Sequence, residues 1–188
     1  KLRKKHDYII SMVSKIDKIK GSFTFLKGFY EYVKQNNNNA LLLIPNRGNF
    51  NDVFSKSIYL RKLLASGNIY IFPPMSQRSI YYLSGMADAS FGINYGDFSK
   101  HDWNVTIMQA IQALSPIITY CPWENLLGES KFKLYPHYQA KDSSQVLSGL
   151  IYFSDNKKRE AEKTKLRDYL SYIYKAGLDD WIQLIKKN

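Results

Sequence analysis

Tyr8-Ile9-Ile10-Ser11-Met12-Val13, then the basic run Ser14-Lys15-Ile16-Asp17-Lys18-Ile19-Lys20-Gly21, then Ser22 to Gln35, is the stretch that decides the fold. The first part is a short continuous apolar run, the pattern of a strand buried on both faces. The last part sets Phe23, Leu26, Phe29, Tyr30 and Val33 at helical spacing. Asn36 to Asn39 makes a polar turn, and Ala40 to Ile44 is a second apolar run. Strand, helix and strand in this order imply a right-handed crossover and a parallel sheet covered on both faces.

The alternation continues outward. A helix is expected over Asn51 to Ala65, with Asp52 in its first turn and Gly67 just past its end. Asn68 to Phe72 reads as a strand closed by Pro73-Pro74, and Gln77 to Gly85 as a short helix. Ala89 to Asn94 is a strand, Gly96 to Asp102 a loop, and Val105 to Leu114 a helix apolar on most faces and therefore buried. Pro116 to Tyr120 is another strand. The tail is helical in three pieces: Ser143 to Ser154, Asn156 to Lys175, and Leu178 to Lys186. The expected fold is α/β: a Rossmann-like parallel sheet of about five or six strands, helices on both faces and a helical C-terminal tail. Without an internal repeat or linker, residues 1–188 read as one domain.

Composition bounds the function. The 188 residues are 45% hydrophobic and 23% charged, which suits a globular chain and not a disordered one. No apolar run approaches the roughly 20 residues that span a bilayer. No secretory signal follows the basic N-terminus. The chain begins at Lys1, so a mature protein or an excised fragment is expected. Cys121 is the single cysteine, which excludes an internal disulfide framework and points to the cytoplasm. His6, His101 and His137 lack metal-ligand spacing, so no metal is expected. The net charge of +11 favours anionic partners: a nucleotide diphosphate, a nucleic acid or an acidic membrane surface. The basic runs at Lys1–Lys5 and from Lys157 to Arg167 read as solvated faces.

In open α/β sheets, ligands bind beyond the carboxyl ends of the strands. Lys15 and Lys20 fall there, after the first strand; ammonium groups beside a helix start would meet phosphate oxygens, and a solvated basic loop explains them equally well. Arg47, after the second strand, is a weaker candidate for an anion-binding turn, and an ordinary loop is the slightly favoured reading there. Phe72 to Pro74 close the third strand. The loop Tyr95 to Asn104 carries Asp102, His101 (a catalytic candidate as general acid/base or anion contact, or simply an exposed loop histidine) and Trp103 (a stacking face for a ligand, or more often core). Asn104 is a plausible N-cap for the helix beginning Val105-Thr106, whose free N–H groups are also suited to a phosphate. Gln109 is a polar residue on that apolar helix and needs partners. A ribose hydroxyl pair or a neighbouring backbone would supply them.

These segments, in this order, resemble the C-terminal domain of the retaining, two-Rossmann-domain (GT-B) group 1 glycosyltransferases. Ser14-Lys15 stands where that family has Gly-Arg, and Lys20-Gly21 matches its Lys-Gly. Met86-Ala87-Asp88-Ala89 matches its "aD" step, and Ala113-Leu114-Ser115-Pro116-Ile117-Ile118 its closing strand. The family's two glutamates, separated by seven residues, fall on His101 and Gln109, and its Phe-Gly pair falls on Trp103-Asn104. The resemblance covers roughly Tyr8 to Tyr120.

It implies that Lys15 and Lys20 stabilise the departing diphosphate of a nucleotide sugar such as a UDP-sugar. It implies that Asn104, Val105 and Thr106 hold the phosphates, that Gln109 bonds the ribose, and that Phe72 and Pro74 flank the base. Lysine for arginine loses the bidentate fork. Glutamine for glutamate weakens the ribose contact, and His101 alters the contact to the sugar. On this reading the chain is a donor-binding half without its N-terminal acceptor domain, inactive alone and needing no cofactor. The acceptor, a glycan, a lipid-linked glycan or DNA, is left open, as is peripheral association with a membrane. The alternatives are a nucleotide-sugar epimerase of the same fold and a basic nucleic-acid-binding or non-catalytic interaction module.

Overall fold

Tyr8–Met12 forms strand β1, and all five of its residues are buried. In the computed structural model, which describes residues 2–13, 16, 21–36, 39–46, 50–92, 105–120 and 136–187, it lies in the middle of the sheet. Helix α1 follows at Ser22–Gln35 and β2 at Ala40–Pro45. Short helix α2 (Phe50–Lys56), α3 (Ile58–Ala65) and β3 (Ile69–Phe72) come next. Then come α4 (Gln77–Met86), β4 (Ala89–Phe91), α5 (Val105–Gln112), β5 (Ile117–Thr119) and β6 (Tyr138–Gln139). Helices α6 (Ser143–Ser154) and α7 (Asn156–Lys187) close the chain.

The six strands are all parallel, in the order β3-β2-β1-β4-β5-β6. This is the order of a Rossmann sheet. Side-chain alternation divides the core between the two faces. Ile10 and Met12 point into the larger cluster with Phe25, Leu26, Phe29, Leu60 and Phe153 under α1, α3 and α6. Ile9, Leu41 and Leu43 point to the opposite face under α4, while Val13 and Ile117 join Ile107, Ala110 and Ile111 of α5 and Leu166 and Tyr169 of α7.

Three expectations need correction. The single helix expected over 51–65 is two, because buried Ser57 leaves helical geometry (φ −98°, ψ 106°) and its hydroxyl accepts from Leu60 N at 3.2 Å. An N-cap serine can end one helix and start another without interrupting the apolar period. Arg61 Nη1 donates to the Phe54 and Ser55 carbonyls at 2.9 and 2.7 Å, satisfying the end of α2. The expected break between Lys175 and Leu178 is absent, and Gly177 is absorbed into α7. A helical glycine costs about 1 kcal/mol, which a long helix tolerates. Strand β6, only two residues long, was not expected. It is held by the Tyr138 ring seated on Gly149 of α6, where an added Cβ would come within 2.8 Å of Tyr138 Cδ1.

The basic tail is also not simply a solvated face. Arg159 has 12% side-chain exposure and its Nε lies 3.7 Å from Asp88 Oδ1. Its Nη1 donates to the Phe153 and Ser154 carbonyls at 2.7 and 2.8 Å, closing the end of α6. Asp88 also accepts from Ile9 N at 2.7 Å and from Arg3. One carboxylate thus joins the N-terminal segment, β1, the start of β4 and α7.

Helices α1 and α6 meet closely at Gly28, where a Cβ would lie 2.7 Å from the Ser143 carbonyl oxygen and from Val146 Cγ1. Gly28→Ala is expected to force these helices apart and cost about 1–3 kcal/mol, the usual range for overpacking. Urea denaturation monitored by circular dichroism checks it; an unchanged midpoint would show that the helices yield freely.

Candidate functional site

The sheet reverses its winding between β1 and β4, and in open α/β sheets the crevice beyond this reversal is the ligand site. Its floor is well fixed. Val13 N donates to the Phe91 carbonyl at 2.9 Å, and Gly92 N donates to the Ile118 carbonyl at 3.2 Å. Thr119 Oγ1 donates to the Gly92 carbonyl. On one side, the Phe91 ring stacks on Phe25 of α1 with centroids 3.8 Å apart. On the other side, Val13 packs with Ile107 and Ile111. Beneath α4 and α5 a buried hydroxyl chain crosses the sheet: Ser11 Oγ lies 2.7 Å from Ser90 Oγ, which lies 2.8 Å from Ser115 Oγ.

The two segments singled out in the sequence follow β1 and β4 in the chain. Lys15 and Lys20 lie outside the described residues, as do Arg47, His101, Asp102, Trp103 and Asn104. Between the two lysines, Ile16 is fully buried in the main core, so the chain is pinned at that point. Gly21 ends the segment with φ 71°, ψ 17°, as the N-cap of α1. This left-handed geometry is why glycine suits the position. Its carbonyl accepts from Phe25 N at 3.0 Å.

Val105 and Thr106 are the first residues of α5, at the crevice end of that helix. Gln109 is partly buried, and by the 3.6-residue period it stands on the opposite side of α5 from Ile107 and Ile111. Among the described residues its Oε1 is buried without a hydrogen-bond partner. Leaving such an oxygen unmet costs about 1–3 kcal/mol, so a buried orphan acceptor calls for a reason. Its carbonyl, by contrast, accepts from Ala113 N at 3.0 Å.

Phe72 and Pro74 are at the same edge but two strands from β1, about 10 Å away by ordinary strand spacing. Phe72 is partly buried against the α4 cluster and meets Tyr70 edge-on with centroids 4.7 Å apart; Pro74 is exposed. Met75 packs against both the Phe72 cluster and the α5 cluster, so Phe72 and α5 share one face of the sheet. Among the described residues no group of three or more His, Cys, Asp or Glu side chains could hold a metal. Asp88, the residue of the "aD" step, sits at the amino edge of β4, away from the crevice, where its contacts are structural.

No family model matches the sequence, and no curated protein matches it. Solved structures do match. The C-terminal domain of LpcC, a group 1 family glycosyl transferase from Francisella tularensis, aligns over 90% of this chain and 87% of its own, with TM-score 0.67 and 17% identity. The fold is that of a group 1 glycosyltransferase C-terminal domain. TarM aligns with TM-score 0.71 and 12% identity over 96% of this chain but 35% of its own. The pneumococcal O-GlcNAc transferase GtfA, solved with UDP and GlcNAc, aligns with TM-score 0.63 and 14% identity over 97% of this chain and 36% of its own. The chain therefore spans about a third of the length of those two enzymes. No helix among the described residues is long and apolar enough to cross a membrane.

Proposed function

We propose that this domain holds a nucleoside diphosphate sugar in the β1/β4 crevice, as the donor-binding half of a retaining glycosyltransferase. The observation that carries the reading is the buried, unpartnered Oε1 of Gln109 on the helix that starts beside that crevice. A ribose hydroxyl is the donor this oxygen lacks. The UDP in the GtfA structure supports a uridine nucleotide as the first choice.

Lys15 and Lys20 then face the diphosphate, where their charge stabilises the leaving group as the glycosidic bond breaks. The N–H groups of the first turn of α5, at Val105 and Thr106 with Asn104 before them, hold the phosphates. Arg47 is a further anion contact, and Asp102 and Trp103 line the same loop. His101 faces the sugar. Phe72 and Pro74 flank the base. Because the chain spans about a third of its full-length structural neighbours, transfer requires a second half that brings the acceptor.

A thermal-shift series with UDP-, GDP- and ADP-sugars tests the reading. A ligand at a hundred times its Kd stabilises by about 2.7 kcal/mol, or roughly 5–10 °C for a domain of this size. Gln109→Ala is expected to weaken the response about tenfold in ligand concentration, and Lys20→Ala to remove it. No shift with any nucleotide, alongside salt-sensitive binding of DNA or RNA, would replace this reading with the basic nucleic-acid module.

A further inference from the structure

The two ends of the sheet differ. One is β6, two residues long; the other is β3, which pairs with β2 alone. Two hydrogen bonds fix the direction of its main-chain groups. Leu42 N donates to the Asn68 carbonyl at 2.8 Å, and Asn46 N donates to the Phe72 carbonyl at 2.9 Å. With Leu42 opposite Ile69 and Ile44 opposite Ile71, the groups of Asn68, Tyr70 and Phe72 turn toward β2. Those of Ile69 and Ile71 therefore turn outward. Among the described residues, no hydrogen bond from outside the sheet reaches them.

The side chains supply a second observation. Ile69 and Ile71 pack into the core under α3, and Phe72 packs under α4. Tyr70 shares the face of Phe72, meets its ring edge-on and is 47% exposed. Gly85 of α4 faces α5, where a Cβ would lie 3.8 Å from Ala113 Cβ. By the helical period, Met86 then falls on the flank of α4 turned away from α5 and toward β3, and it is 59% exposed. Asn68 to Pro74 carry no charge, in a chain of net charge +11. Edge strands are ordinarily guarded by charged side chains, lysine above all.

We infer that β3 is a twofold interface with a second copy of this chain. An antiparallel copy centred on Tyr70 sets Ile69 against Ile71 of the second copy, and Ile71 against its Ile69. Each of these two pairs exchanges two main-chain hydrogen bonds, so every outward donor meets an outward acceptor. The two Tyr70 residues then form the close, non-hydrogen-bonded pair at the axis, with both rings on the α4 side and Met86 flanking them. The absence of charge selects this occupant. It offers no ion-pair partner to an acidic or basic peptide, and a twofold axis sets like beside like, where charges would repel. Each copy uses its one β3 edge, so the assembly closes at two. The crevice between β1 and β4 lies two strands away, and the inference does not depend on the donor reading.

Sedimentation equilibrium of the full chain, in about 0.3 M salt to screen its net charge, tests it. The wild type is expected to pass from monomer to dimer with Kd on the order of 10–100 µM, as suits a small transient interface, and to go no further. Tyr70→Lys is expected to raise Kd at least tenfold while its circular dichroism spectrum stays that of the folded chain. Tyr174→Lys, the same change at a 64% exposed tyrosine on α7, is expected to leave Kd unchanged. Mixing Tyr70→Lys with Tyr70→Glu is expected to restore a dimer containing one of each, because opposite charges then meet at the axis. The inference is overturned by a wild type that stays monomeric up to about 1 mM, by assembly that continues past the dimer, by equal loss in Tyr174→Lys, or by no recovery in the mixture.

Discussion

Asp88→Ala lowers the stability of the domain by about 3 kcal/mol, the lower end of what breaking a buried ion pair costs. For a chain of this size the melting temperature falls by roughly 6–12 °C. The reason is the company Asp88 keeps. Its side chain is 11% exposed and that of Arg159 is 12%, so removing the carboxylate leaves a guanidinium without its counter-charge. Ile9 N also loses its acceptor at the edge of β1. Arg3 matters less, because its side chain is 51% exposed and water screens that pair. Asp88→Asn keeps an acceptor for Ile9 N and should lose less. Asp88→Ala/Arg159→Met should regain part of the loss, because the stranded charge goes with the arginine. Differential scanning calorimetry of the four proteins decides it; an alanine variant melting within about 2 °C of the parent would remove the clamp from the account of the fold.

Phe91→Ala is expected to cost about 3–5 kcal/mol, the range for truncating a fully buried phenylalanine. Phe91 is wholly buried and lies on Phe25 at 3.8 Å between ring centroids. Its carbonyl receives the hydrogen bond from Val13 that joins β1 to β4 at the reversal of the sheet. The cavity left by alanine would therefore open directly under the crevice. Phe91→Leu keeps most of the volume and should cost about 1 kcal/mol. Urea denaturation measures both, and an alanine loss below about 1 kcal/mol would mean that α1 collapses onto the gap. Nucleotide binding by the leucine variant, at a temperature where it is fully folded, then reports whether the floor must be rigid for the site to work.

The elements with strong local signals were legible. Ser22–Gln35 and Ser143–Ser154 have the bounds their apolar spacing and flanking polar residues prescribe. The strands that fill the core, from Tyr8, Ala40, Asn68 and Pro116, were visible as apolar runs to within a residue or two. Legibility failed where a contact distant in sequence overrides the local pattern. Ser57 breaks a continuous helical period by capping. Gly177 reads as a stop yet continues α7. His137-Tyr138-Gln139 has no apolar run, and pairing with Ile118 and Thr119 together with packing on Gly149, Tyr152 and Phe153 gives it a place. At the candidate site, the sequence singled out Gln109 as a polar intruder on an apolar helix. It left open whether a neighbouring backbone or a ligand would meet it, and among the described residues no backbone group meets its Oε1.

By itself the sequence determined the class of fold. Hydrophobic period and turn chemistry are local properties, and they specify each strand and helix before any of them has met another. The strand order was not local. Placing β1 beside β4, and so bringing Met12 next to Phe91 at the carboxyl edge, required pairing across 79 residues from Ser11 to Ser90. The tertiary structure alone made that choice, because backbone hydrogen bonds and the two-faced burial of Ile10 and Val13 select a neighbour without leaving a mark in either segment. The same is true of Arg159. Its charge reads as solvent-facing in the sequence, and only packing against Asp88 makes it part of the interior.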